Sequence, residues 1–359
     1  MEIGIIGLPN CGKTTILNAL TRGKARISDY ASTRVEANHA VAKVPDARLD
    51  ALISMFHPKK WTPAEVTYVD VAGLTRQPGS RGLGETFIVH IRPATALALV
   101  LRSFEEGSAT HPTPLEDLKD VETELIITDL VTVEKRLDRV ELDLKKGMKE
   151  LHEERDALVA CKEALDAGSP IRNIGLKEPQ RKLLRGYQLL TAKPLLVIVN
   201  VGENLIGTDA SVPIREHLKP SIEQHTAGVV EICGKLEMEL AQLEPTDAKA
   251  FMEELGLKEL ALERVIRASY DLLGLISFFT TVSDEVRAWT IPRDTTAQRA
   301  AGAVHTDMER GFIRAEIIAF DTLMECGSLA AAREKGLLRI EGKDYVMQDG
   351  DIANFRFKV

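Results

Sequence analysis

None of the four cysteines, Cys11, Cys161, Cys233 and Cys326, falls in a CxxC pair or at metal-ligand spacing from a histidine. That pattern offers no structural zinc and no disulfide frame, and it fits a reduced, cytoplasmic protein. Long apolar runs are also missing. The longest, such as Ala94 to Leu101, are far too short to cross a bilayer. The N-terminus has no basic segment, apolar core or small-residue cleavage site, so no signal peptide is expected. Positive charge is not in excess: the formal net charge is −8. A generalised polyanion binder is thereby excluded, and any nucleic-acid contact must use a local patch.

What is present is ordinary globular material. The chain of 359 residues, 44% hydrophobic and 28% charged, is long enough for two or three domains with cores of their own. Glu2–Ile6, Val66–Val71, Ala94–Leu101, Leu195–Asn200 and Val229–Cys233 read as buried strands separated by helical segments. That alternation predicts an α/β fold with a parallel sheet covered on both faces. Between the third and fourth runs, Leu118, Val121, Leu125, Leu130, Val133, Leu137, Val140 and Leu144 recur at helical spacing. Gly147 interrupts them, a second amphipathic stretch follows, and Gly168-Ser169-Pro170 ends it. The pair predicts an antiparallel helical hairpin inserted into the sheet domain. Met238–Leu273 reads as helical again. From Ile276 onward short β-type runs (Ser277–Val282, Ile313–Ile318, Leu338–Ile340, Tyr345–Met347, Ala353–Val359) predict a separate small α+β domain. The expected boundaries are 1–114 with 192–275 for the sheet domain, 115–191 for the hairpin and 276–359 for the last domain.

Gly7-Leu8-Pro9-Asn10-Cys11-Gly12-Lys13-Thr14 fits GxxxxGK[ST] after a strand and before a helix. Glycines let the backbone curl so that N–H groups at a helix N-terminus face a β-phosphate. Lys13 supplies a cation to the β- and γ-phosphates, and the Thr14 hydroxyl is a ligand for Mg²⁺. Asp70-Val71-Ala72-Gly73 at the next strand's end fits DxxG, with Asp70 on the metal's side and the Gly73 N–H on the γ-phosphate. Leu74 follows, where a glutamine commonly orients the attacking water. Slow basal turnover is therefore expected, or a catalytic group delivered from elsewhere; Arg76, Arg81, His90, Arg92 and His111 are the nearby candidates. Pro78 to Gly84 has the glycine content of a hinged switch.

Guanine is usually read by NKxD after a strand. Here the segment is Asn200-Val201-Gly202-Glu203. Val201 lacks the lysine stem, Glu203 is one methylene too long, and an asparagine can pair with adenine N6 and N7. The site argues against strict guanine preference and leaves adenine open. Cys233-Gly234-Lys235 is expected to complete the base pocket from its backbone.

Together these segments resemble the YchF/Obg-like ATPase family over essentially the whole chain. Pro45-Asp46-Ala47-Arg48-Leu49, Gly82-Leu83-Gly84 with His90-Ile91-Arg92, and Glu285 to Ile291 carry the resemblance further. His305-Thr306-Asp307, Arg310 to Glu316 and Asp349-Gly350-Asp351 add to it. The resemblance implies a Ras-like P-loop domain, a coiled-coil helical insertion and a C-terminal TGS domain. It also implies hydrolysis of ATP in preference to GTP and binding to ribosomes, chiefly the large subunit. His111 lies in the stretch where the family's catalytic histidine is implicated. Nucleotide contacts are implied for Asn10, Cys11, Gly12, Lys13, Thr14, Thr15, Asn200, Val201, Glu203, Cys233 and Gly234. Metal contacts are implied for Thr14 and Asp70, and catalytic roles for Lys13, Gly73 and His111. Asn10 resembles the asparagine that lets some relatives hold K⁺ beside the phosphates. One departure is in the first switch, where Arg34 stands at the family's threonine position and Thr33 precedes it: either the register slips by one and Thr33 serves, or the chain lacks that ligand.

Residues 276–359 hold about 11 basic and 13 acidic side chains, so that domain is not basic overall. Arg314, Arg339, Lys343, Arg356 and Lys358 are the candidates for a ribosome-facing patch there. No membrane and no DNA partner is expected, and the chain is expected to be a monomer. A kinase would share the P-loop but needs an acceptor pocket and an arginine-rich lid, and neither is evident. A GTP-specific assembly factor and a non-catalytic nucleotide sensor remain the other readings.

Overall fold

The computed structural model describes residues 2–20, 38–70, 83–105, 111–206, 210–257, 259–282 and 284–358. In chain order the strands among them are β1 Glu2–Ile6, β2 Asn38–Lys43, β3 Lys60–Thr62, β4 Glu65–Asp70, β5 Ala96–Ser103 and β6 Leu195–Val201. They continue with β7 Ala227–Ile232, β8 Leu275–Val282, β9 Glu285–Pro292, β10 Phe312–Ala319, β11 Arg339–Glu341 and β12 Asp351–Phe357. The chain divides into two compact units, Met1–Val41 with Thr67–Ala268, and Ala42–Val66 with Ser269–Val359.

The first sheet has the order β2-β4-β1-β5-β6-β7. β1 pairs in parallel with β4 and β5, β5 with β6, and β6 with β7. β5 and β6 are buried along nearly their whole length, which is why they read as unbroken apolar runs. β2 alternates instead: Ala40 and Ala42 are buried while His39 and Val41 are exposed. Because the central strands are parallel, their carboxyl ends share one edge. That edge gathers the loop after β1, Asp70 at the end of β4, and the segments that follow β5, β6 and β7. The stretch read as one helical region is three helices, Gly234–Gln242, Pro245–Glu254 and Ala261–Leu272.

The insertion is the expected hairpin, built from helices Pro114–Lys145 and His152–Asp166. Val133 and Val140 pack with Ala157, Leu158, Cys161 and Leu165 between them. The turn closes with Gly147 at φ 97, a left-handed conformation that glycine adopts at little cost. Arg136 grips Glu154 through two bonds of 2.7 and 3.0 Å, and the Tyr187 hydroxyl joins the same carboxylate. At the root of the hairpin the buried Asp129 carboxylate accepts the Leu190 N–H at 2.9 Å and both the N–H and hydroxyl of Thr191 at 2.6 Å.

The second sheet has the order β11-β10-β12-β8-β9-β3. β8 and β9 form an antiparallel pair, as do β10 and β12. Phe278, Phe355, Ile276, Ile291 and Ile317 make its core with the alanine face of helix Ala297–Val304. Tyr345–Met347, expected as a strand, is not one; a single bridge joins Thr296 to Val346. The sixth strand, β3, comes from far upstream and pairs in parallel with β9. The neighbouring helix Ala47–Phe56 is capped by Asp46, which accepts the Arg48 N–H at 3.0 Å. The Arg48 guanidinium lies between Asp46 and Asp349, at 2.8 Å from each. Asp349 also accepts the Ser277 N–H at 2.8 Å, so this acidic turn clamps the upstream segment to the sheet.

Candidate nucleotide-binding site

The loop between β1 and helix Lys13–Leu20 has the conformation its sequence requires. Asn10 stands at φ 62 and Gly12 at φ 94. A Cβ on Gly12 would come within 2.2 Å of Asn200 Nδ2, so only glycine fits against that side chain. The Lys13 ammonium donates to the Gly7 and Leu8 carbonyls at 2.8 and 2.9 Å, which holds its stem over the loop. The Cys11 thiol turns inward and is buried. Burial pushes its pKa up, and the neighbouring Lys13 charge opposes this. Cys11 therefore offers a phosphate its backbone and not a nucleophile.

Asp70 ends β4 beside Ile5 of β1. It is only 8% exposed, and its Oδ1 has no hydrogen-bond partner among the described residues. Burial raises the carboxyl's pKa, and the Lys13 ammonium pulls it back down. A buried, unpartnered carboxylate oxygen is costly unless a cation or donor meets it. Thr14 is exposed in the first turn of the adjoining helix. A hard divalent cation with oxygen ligands fits this pair of side chains.

The base end draws on three separate segments. Asn200, 4% exposed, donates from Nδ2 to the Cys11 carbonyl at 3.0 Å and accepts the Gly234 N–H on Oδ1 at 3.0 Å. It thus ties the phosphate loop to the start of helix Gly234–Gln242. The Gly234 N–H, expected to serve the base pocket, is used in holding Asn200. Val201 is buried at the end of β6. Glu203 opens a short turn and is ion-paired to Lys235 at 3.0 Å. A cavity of about 840 Å³ joins these residues, lined by Gly12 and Thr15 toward the loop and by Phe104, His111, Glu203 and Lys235 further out.

His111 is 80% exposed, with Nδ1 at 2.9 Å from Glu105. It lines the cavity together with Asn200, Val201 and Glu203. Arg92 instead donates to the Thr132 hydroxyl at 2.8 Å, at the root of the helical hairpin. Thr33, Arg34, Gly73, Leu74, Arg76 and Arg81 lie outside the described residues. Phe104 and Glu105 match no motif. The rule that ligands bind beyond the carboxyl ends of parallel strands would have found them, because they directly follow β5.

A phosphate loop, a carboxylate suited to magnesium at the end of the neighbouring β4 and an asparagine strut near the end of β6 define a P-loop nucleotide-binding protein. The family model described as 50S ribosome-binding GTPase matches residues 2–135. The YchF-GTPase C-terminal model, described as a protein of unknown function, matches residues 275–358. The chain is 40% identical to the ribosome-binding ATPase YchF of Bacillus subtilis over 368 residues, covering 100% of both. Against the protein of the same name from Escherichia coli O157:H7 it is 38% identical over 363 residues, covering 100% of this chain and 99% of that one. The solved structure of the Schizosaccharomyces pombe YchF GTPase superposes with a TM-score of 0.87 at 31% identity, over 99% of this chain and 97% of that one. The chain belongs to the YchF family.

Proposed function

We propose that this chain is a cytoplasmic, ribosome-associated ATPase that hydrolyses ATP in preference to GTP. The single observation that carries the hydrolase reading is the buried Asp70 oxygen with no partner among the described residues, within electrostatic reach of the Lys13 ammonium. The names of the bacterial relatives, ribosome-binding ATPase, support the ribosome as partner and ATP as substrate. Lys13 leaves the loop carbonyls to meet the β- and γ-phosphates, while backbone N–H groups of Asn10 to Thr15 take up phosphate oxygens. Thr14 and Asp70 would hold Mg²⁺, which when bound shares the negative charge of the triphosphate. Gly73 and His111 are assigned to the attacking-water side. K⁺ beside Asn10 belongs to the same proposal.

Expected outcome: wild-type protein releases phosphate from ATP with no acceptor present, and Lys13→Ala reduces that turnover at least about 100-fold. Unchanged hydrolysis in the variant refutes the site. The S. pombe relative is described as a GTPase, which favours a GTP-specific reading as the alternative. Competition of ATP against GTP for the wild-type protein separates the two.

We assign residues 115–191 as the projecting arm and 276–359 as the TGS domain. The large ribosomal subunit is the proposed partner, met by the protein as a monomer. Arg314 and Arg356 lie directly opposite one another on β10 and β12, an arrangement that like charges disfavour. Glu316 pairs with Arg356 at 3.1 Å and with Arg333 at 3.7 Å, and these arginines hold its carboxyl below the usual range. The surplus positive charge fits a phosphodiester backbone, so ribosome binding is expected to weaken steeply with added salt. Binding indifferent to salt removes RNA as the contact.

A further inference from the structure

Lys235 sits where helix electrostatics disfavour a cation. It is the second residue of helix Gly234–Gln242, in the first turn, at the positive end of the helix dipole. Carboxylates belong in that turn, and Glu237 supplies one, accepting the Ala261 N–H at 2.6 Å. Lys235 is explained instead by Glu203, whose Oε1 lies 3.0 Å from its ammonium across the mouth of the cavity. We propose that Lys235 is a specificity-determining residue: it holds Glu203 in an ion pair and so withholds from the nucleobase the free carboxylate that guanine requires. The inference rests on reading the cavity as a nucleoside-triphosphate site.

The chemistry of the two bases gives the direction. Guanine presents two adjacent donors, N1–H and the N2 amine, which one carboxylate accepts together. Adenine presents a donor at N6 but an acceptor at N1, which a free carboxylate repels. A carboxylate already paired to an ammonium loses much of its value to guanine and much of its repulsion toward adenine. Asn200 does not substitute for it, because its amide has a single acceptor atom, which already takes the Gly234 N–H, where guanine presents two adjacent donors. The Lys235 and Glu203 side chains are 51% and 55% exposed, so solvent screens their coupling and the effect is modest.

The test is competition of ATP and GTP for the full chain, run on wild type, Lys235→Met and the double variant Lys235→Met/Glu203→Gln. Lys235→Met is expected to raise GTP affinity relative to ATP about two- to fivefold. The double variant is expected to return the ratio to the wild-type value. A ratio that Lys235→Met leaves unchanged overturns the proposal. So does a raised ratio that persists in the double variant, because Lys235 would then act without Glu203. Wild-type protein that binds neither nucleotide removes the reading of the cavity itself, whereas wild-type binding with an indifferent ratio removes the lysine's role alone.

Discussion

The two ends of the cavity are built on different principles. In the proposed site the phosphate end is one short loop that offers its backbone, positioned by Gly12 at φ 94 and by the helix that follows. The base end comes from three distant segments whose side chains are already engaged: Asn200 with Cys11 and Gly234, Glu203 with Lys235, and His111 with Glu105. At the first end a ligand takes over groups held ready by main-chain geometry. At the second it must compete with bonds the protein already makes. On the proposed reading, affinity for the triphosphate is set locally, and discrimination between bases by how firmly those engaged pairs hold.

The sharpest way to break that contrast is at Asp70, which the phosphate end leaves buried without a partner among the described residues. Asp70→Asn is expected to lower ATP turnover about 100-fold, the order seen when one charge-stabilising group is lost. Stability of the ligand-free protein moves the other way. Burial raises this carboxyl's pKa, so the folded chain holds the proton to higher pH than the unfolded chain. The group therefore costs stability as pH rises from the ordinary carboxylate range through the raised value. Asparagine removes that slope, so the variant is expected to melt higher than wild type at neutral pH without nucleotide. Added Mg²⁺ with ATP is expected to stabilise wild type far more than the variant. Thermal melts from acid to neutral pH, with and without Mg²⁺ and ATP, check both parts. A variant no more stable than wild type at neutral pH means the oxygen has a partner already.

The phosphate end was legible in sequence because its function needs a contiguous run, Gly7 to Thr14, between a strand and a helix. The central strands were legible for a similar local reason: burial on both faces leaves unbroken apolar runs such as Leu195–Val201. The second sheet was less so. β3 is three residues long with Trp61 exposed, and only pairing with β9 makes it a strand. Tyr345–Met347 has strand composition, yet the Tyr345 hydroxyl bonds Asp351 and only Val346 finds a bridge. The base end was legible in identity but not in arrangement. Asn200 lies near the end of β6, as its sequence position suggests, whereas nothing local shows that both sides of its amide are bonded to segments far away in the chain. The Lys235–Glu203 pair likewise joins two segments that only the parallel sheet brings together.

Asn200 is where the two ends meet, and the smaller of the two expected effects lies there. Removing its amide leaves the Cys11 carbonyl and the Gly234 N–H without partners in a buried place, a loss of about 1–3 kcal/mol in stability. It also frees the loop from the helix start that steadies it. If Asn200 is chiefly a strut, Asn200→Ala lowers the melting temperature and weakens ATP and GTP alike, by about tenfold for a loss of this size. If it chiefly reads adenine, ATP binding falls alone and the melt stays put. The engaged geometry of both amide atoms gives the first outcome, measured by thermal melts and by titration with each nucleotide. Loss confined to ATP would mean that the bond to Gly234 opens when the base arrives, and the base end would then be as ready-made as the phosphate end.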